Sequence, residues 1–194
     1  AIDFRSQQTV FHTMSTKAFA LEIGRLMRVS PKDLQILYYG SLLHDIGKIA
    51  IPLSVLEAPR KLTNEEMRIM KAHVMITDMI LKGFIDDRIV KVAVRHHEKL
   101  DGTGYPAGLK GEELTKLERI NAVADILSAL HGKRSYKDSF EPDTIKEILR
   151  SDAKEHKICS KVVDVVVSNY DTIIKNYEKA RNETMEKYKE ILEQ

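Results

Sequence analysis

The residues of this chain that can do chemistry are histidines and aspartates in telling company. His44 and Asp45 are adjacent at the end of an apolar helical run, just before Gly47 and Lys48. His96 and His97 are also adjacent and lead straight into "EKLDGTGYP", a dense run of turn formers. His73 stands alone in a helical stretch, and His12 lies beside Phe11 and Met14. Asp125 sits inside the very apolar "NAVADILSAL". A carboxylate among Ala122, Val123, Ala124, Ile126 and Leu127 must be buried, and a buried carboxylate needs a cation or several donors. Imidazole and carboxylate without thiolate suit iron, manganese, zinc or nickel and disfavour a soft metal. Two readings stay open at this level. His12 and His73 are each compatible with a lone histidine held by a backbone partner or exposed on a helix. Together, donors spread over five helices are how a bundle builds a metal site in its interior.

The elements that must position these donors are helical, with no convincing run of strand alternation. The first helix is expected over about residues 5–27. Ser30, Pro31 and Asp33 form a clean start for the next, which runs to His44 and stops at Gly47. "KIAIP" then reads as an extended connector. Thr63 and Glu66 make a capping box for a helix reaching about Leu81. Further helices are expected over about residues 86–98, 117–130 and 142–150, and from about His156 onward. The last segment, residues 169–194, reads as a long amphipathic helix that packs on its own domain (residues 1–168) or pairs two copies as a homodimer. Ala180 and Thr184 weaken the seam a coiled coil would need.

The bulk numbers narrow the setting. A chain of 194 residues, 43% hydrophobic and 31% charged, suits one globular domain with a real core. A net charge of +2 excludes bulk binding of a nucleic-acid polymer, so an anionic ligand must be gripped locally. No apolar run is long enough for membrane insertion and no signal peptide is recognisable, which makes a cytoplasmic location the expectation. The single cysteine, Cys159, excludes an internal disulfide and a thiolate-rich zinc site. Among Ile158, Val162 and Val163 it reads as a core thiol.

Taken together, "LLHDIGKIAIP" followed by "HHEKLDGTGYPAGLKGEEL" resembles the HD-GYP family, a branch of the HD phosphohydrolases. The resemblance runs from about His12 to about Val167. It implies an all-α helical bundle with a metal centre in its interior and a long C-terminal helix. The implied activity is a phosphodiesterase in which a metal-activated hydroxide attacks phosphorus of cyclic di-GMP, giving pGpG and then GMP. The implied ligands are His12, His44, Asp45, His73, His96, His97 and Asp125. They would hold two divalent ions, iron or manganese first and zinc, nickel or cobalt as options. Asp45 would bridge them, with His12, His44 and Asp125 around one ion and His73, His96 and His97 around the other. Lys48 is the implied catalytic lysine beside Asp45. Arg134 and Lys137 of "GKRSYK", with Tyr105, are the implied substrate contacts. Gly102, Gly104 and Pro106 shape the loop that walls the site. The family's usual architecture also implies an upstream sensory or receiver domain.

The chain departs from the family pattern in three places. Gln8 stands where some members carry a glutamate supporting a third metal, so two ions are expected. Ser128 replaces the acidic residue of "FDAL", and "HKICSKVV" stands in place of the usual "FDP" segment. These changes keep two alternatives in play: an HD hydrolase of another cyclic dinucleotide or a nucleotide phosphate, and a catalytically silent cyclic di-GMP receptor. His131 and His156 match no ligand position and read as surface residues.

Overall fold

The computed structural model describes residues 7–132 and 140–192. Arg134 and Lys137 lie outside them, as does the side chain of Gln8. The described residues are all-α: helices α1 (Gln7–Leu26), α2 (Pro31–Leu43), α3 (Leu53–Leu56), α4 (Asn64–Leu81), α5 (Asp87–Val94), α6 (Lys116–His131), α7 (Pro142–Lys154), α8 (Ser160–Ser168) and α9 (Tyr170–Leu192). They contain no strand, and Asp101 and Lys110 make one isolated antiparallel bridge. No described helix is long and apolar enough to cross a membrane.

Capping chemistry starts the helices where the sequence says it should. Ser30 accepts from the Asp33 amide ahead of α2, and Thr63 and Glu66 cap α4 reciprocally. A second capping box, Thr115 with Glu118, opens α6. There Glu118 is also buried and paired with Arg95 at 3.3 Å, which ties the start of α6 to the end of α5.

A main core runs through the described residues, and a smaller cluster of Leu81, Val90 and Ala93 packs α4 on α5. Phe19, Ala20 and Ile23 of α1 meet Ile120, Val123 and Leu127 of α6, and Ile145, Leu149, Val162 and Ile173 close over them. Burying each of Ile120, Val123 and Leu127 contributes about 1.5–3 kcal/mol. Together they offset the several kcal/mol that seating the Asp125 carboxylate on the same helix costs. α1 and α6 are therefore rigid carriers for His12 and Asp125.

The structure corrects four local expectations. "IGKIA" is a 3-10 turn (Ile46–Ala50) rather than an extended connector, closed by Lys48 N–H to Asp45 O at 2.9 Å. In 3-10 geometry residues i and i+3 eclipse, so Lys48 comes to lie over Asp45, whereas an extended chain would send them to opposite faces. α5 ends at Val94, so His96 and His97 sit in the turn beyond it. The helix expected from about His156 starts only at Ser160, and it ends at Ser168, before Asn169, whose Nδ2 donates to Val165 O at 2.8 Å. Tyr170 and Ile173 of α9 then enter the main core. Finally, His131 is half-buried, edge-on to Phe19 and Tyr177, rather than a surface residue. His156 is exposed, and Cys159 is half-buried against the core.

Candidate metal centre

All seven sequence-predicted donors converge. His44, Asp45, His73, His96 and Asp125 are buried, while the side chains of His12 and His97 keep 20% and 30% of their exposure. Two compact groups that share no residue result, His12 with His44 and Asp125, and His73 with His96 and His97, and a third, His44 with Asp45 and His96, joins them. Asp45 lies between them. Its Oδ2 is 3.3 Å from His44 Nε2 and 3.7 Å from His12 Nε2. Its Oδ1 is 3.4 Å from His73 Nε2 and 4.0 Å from His96 Nε2.

The histidines are aimed by the backbone. His44, His73 and His96 each donate Nδ1–H to the carbonyl three residues back, those of Ser41, Met70 and Ala93, at 2.7, 2.6 and 2.6 Å. That fixes the tautomer and leaves every Nε2 lone pair facing the cluster. His12 is held differently, by side chains at both nitrogens, with Nδ1 2.9 Å from Ser128 Oγ and Nε2 at hydrogen-bond distance, 2.8 Å, from Asp125 Oδ1.

The residues present fit a divalent cation. His44 Nε2 and Asp45 Oδ1 are buried without a hydrogen-bond partner, an expensive state unless something else satisfies them. The Nε2 atoms of His73 and His96 face one another at 3.4 Å with lone pairs opposed. Bonds of about 2.0–2.2 Å to a common ion set neighbouring donors about 3–3.5 Å apart. The 3.3 and 3.5 Å separations of His44 Nε2 from Asp45 Oδ2 and Asp125 Oδ1 match that spacing, and His12 Nε2 lies closer to Asp125 Oδ1, at 2.8 Å.

Electrostatics point the same way. Burial pushes His73 down and His96 well down, the latter helped by His97 and His44. Burial also takes His97 to about 4. These rings are therefore neutral, as ligation requires. Burial alone would raise the two aspartates, but His44, Lys48 and His12 hold Asp45 well below the carboxylate range, and His12 and His44 do the same for Asp125. For His44, burial is outweighed by Asp45 and Asp125, and its pKa rises. A dianionic pair among imidazoles is a cation's environment.

Around this centre lies its wall. Tyr105 stacks on His97, with centroids 4.7 Å apart and planes at 28°, and the Lys71 ammonium lies 4.8 Å from the Tyr105 ring. Lys48 Nζ sits 2.6 Å from Asp45 Oδ2. Gly102 adopts φ +82°, and Tyr105–Pro106 is a cis peptide. Gly104 lies so close to the Glu98–Lys99 backbone that a Cβ would approach it to 2.3 Å. The loop is pinned by buried Glu98, which accepts from the amides of Ala107 at 2.7 Å and Leu109 at 2.9 Å. Sequence reasoning assigned no role to Glu98, Lys71 or Ser15. Only Glu98 had a local cue, a carboxylate directly before a loop with many unpaired amides.

Comparison with known proteins agrees with the geometry. Residues 1–162 match the family described as HD domain. The chain is 34% identical over 177 residues to 3′3′-cGAMP-specific phosphodiesterase 2 of Vibrio cholerae serotype O1, covering 90% of this chain and 34% of that protein. It is 36% identical over 180 residues to the cyclic di-GMP phosphodiesterase response regulator RpfG of Xanthomonas campestris pv. campestris, covering 82% and 47%. The chain thus spans less than half the length of these curated relatives. Among solved structures, Bd1817, an HD-GYP-type protein of Bdellovibrio bacteriovorus, superposes with a TM-score of 0.67 at 19% identity, over 82% of this chain and 51% of that one. The HD-GYP motifs on one all-helical scaffold, the converging histidines and aspartates and these matches have one reading: the chain belongs to the HD domain family, in its HD-GYP branch.

Proposed function

We propose that this domain is a metal-dependent phosphodiesterase that opens a cyclic dinucleotide, with cyclic di-GMP as the first substrate and pGpG, then GMP, as products. The observation that carries the reading is the split of the Asp45 carboxylate, one oxygen toward each histidine group. Such a carboxylate could serve both ions of a two-ion site, of which His12, His44 and Asp125 would hold one and His73, His96 and His97 the other. Nitrogen and oxygen donors suit iron or manganese, and also zinc, nickel or cobalt. Gln8 is a neutral amide where a carboxylate would support a third ion, so two ions are expected. When bound, the ions supply Lewis acidity and a water ionised near neutral pH.

The chain's own residues do the rest. His12, His97 and Lys48 retain exposure, so the substrate enters along that edge. Tyr105, stacked on His97, offers a flat wall for a base, and Lys71 beside it brings positive charge for a phosphate. Lys48 neutralises a non-bridging oxygen as charge develops, or protonates the 3′-oxygen as the P–O bond breaks. Relatives named for cyclic di-GMP and for 3′3′-cGAMP support a second substrate reading, 3′3′-cGAMP.

Both substrates are tested together. Manganese- and iron-loaded protein is incubated with each dinucleotide, and products are separated by chromatography beside an Asp45→Ala control. A linear dinucleotide from the unmodified protein and none from the variant is the expected result. Intact substrates under both metals, including tight binding without turnover, would sink the proposal.

A further inference from the structure

His12 is the one donor of its group whose outer nitrogen is held by a side chain. His44 is steered by the Ser41 carbonyl within its own helix, whereas His12 Nδ1 finds Ser128 Oγ across the α1–α6 interface at 2.9 Å. Ser128 is buried, and its other contacts are Ser15 Oγ at 2.5 Å and the His12 carbonyl at 3.2 Å. Ser15 is buried too, and its hydroxyl reaches the carbonyls of Phe11 at 2.8 Å and His12 at 3.0 Å.

His12 Nε2 lies 2.8 Å from Asp125 Oδ1, within hydrogen-bond distance. In the ligating form Nε2 would carry no proton, so the one proton of a neutral His12 would sit on Nδ1, with Ser128 Oγ as its acceptor. Ser128 O–H then has Ser15 Oγ and the His12 carbonyl as acceptors, and Ser15 O–H has the carbonyls of Phe11 and His12. Every donor of that form therefore has an acceptor in place.

We propose that Ser128, with Ser15 behind it, is the positioning residue that fixes the tautomer and ring plane of His12, so that the His12–His44–Asp125 site binds its ion tightly. The inference rests on the metal-centre reading above. It assigns Ser128, the departure from the family's acidic residue, a hydrogen-bonding role in this chain. Removing such an outer partner of a ligating histidine lowers metal affinity by about 10–100-fold. The effect is confined to one site, because His73, His96 and His97 share no hydrogen bond with Ser128.

The test titrates Mn²⁺ into chelator-stripped protein, following free Mn²⁺ by electron paramagnetic resonance, with no substrate present. Ser128→Ala weakens one of two sites about 10–100-fold and leaves the other unchanged. Ser128→Thr and Ser128→Val form a matched pair of one shape, with and without the hydroxyl. Any packing or folding penalty is common to both, so the difference between them isolates the hydrogen bond. Thr keeps both sites at wild-type affinity and Val weakens one. Wild-type binding by Ser128→Ala and Ser128→Val overturns the inference, and so does equal weakening by Thr and Val. Unmodified protein that binds no Mn²⁺ overturns the metal-centre reading itself, which separates the two failures.

Discussion

Gly47→Ala tests how the buried half of the site is held. Gly47 lies in the 3-10 turn after Asp45, pressed against α4. Its amide donates to Thr77 Oγ1 at 3.0 Å, and Thr77 donates in turn to the His44 carbonyl at 3.2 Å. A Cβ at position 47 would lie 2.0 Å from the His73 carbonyl oxygen and 2.7 Å from the Thr77 amide nitrogen. Both are backbone atoms that no rotamer change can move away. Since real Cβ contacts stay beyond 3.0 Å, α4 must retreat by about 1 Å.

Overpacking of that kind costs about 1–3 kcal/mol, which for a chain of this length lowers the melting temperature of the metal-free protein by about 2–12 °C. The retreat also carries His73 away from Asp45 Oδ1, now 3.4 Å distant. Ligand geometry tolerates only about 0.5 Å of error, so the His73–His96–His97 site weakens about tenfold or more. Thermal melts and metal titration read the two effects. Gly83→Ala is the control: at φ +83° with nothing near its Cβ direction, it strains the backbone and leaves the metal sites alone. Gly47→Ala protein with wild-type melting temperature and wild-type metal affinity would refute the reasoning.

Two further outcomes are expected. Lys48→Met removes the ammonium at 2.6 Å from Asp45 but no metal donor. It should keep its metal content while turnover falls about 10²–10³-fold; turnover within a few-fold of wild type, measured by product chromatography, would exclude a role for Lys48 in the reaction. For the metal-free protein, burial lowers His97 from 6.5 to about 4. Between those values the unfolded chain takes up a proton that the folded one refuses. Stability therefore falls as pH drops through that window. His73 and His96 act with the same sign, and His44, whose pKa is raised, opposes them. Denaturant titrations of chelated protein across this range should show the loss, and a flat or rising profile on acidification would contradict it.

What the sequence made legible was set by local chemistry. Ser30 and Thr63 announce their helices because a cap and its partner lie within one turn. Asp125 shows itself as buried because its neighbours on α6 are apolar all round. His44, Asp45, His96 and His97 stand out because each pair sits in a motif, whereas His12 and His73 are lone histidines that join the set only through the family resemblance. What stayed hidden depends on contacts between distant segments. Gly47 reads as a helix stop, yet its missing Cβ matters because α4, some thirty residues away in sequence, lies against it. "IGKIA" carries too few residues to show a period, so its 3-10 geometry, and with it the placement of Lys48 over Asp45, had to come from the structure. The thinning of apolar residues set residues 169–194 apart as a segment, but the turn at Asn169 that separates α8 from α9 had to come from the structure.

Ser128 shows where this division bears on function. Against the family pattern it reads as a loss, an acidic residue replaced by a small neutral one. In the fold its hydroxyl touches a histidine 116 positions away. The carriers of that contact, α1 and α6, pack on each other in the main core, where Phe19, Ile23, Val123 and Leu127 hold the two helices in the register at which His12 and Ser128 meet. The same packing that makes the domain stable therefore sets the aim of one metal ligand. A substitution in that apolar seam that shifts α1 along α6 would misplace the Nε2 of His12 without touching a single polar residue of the site.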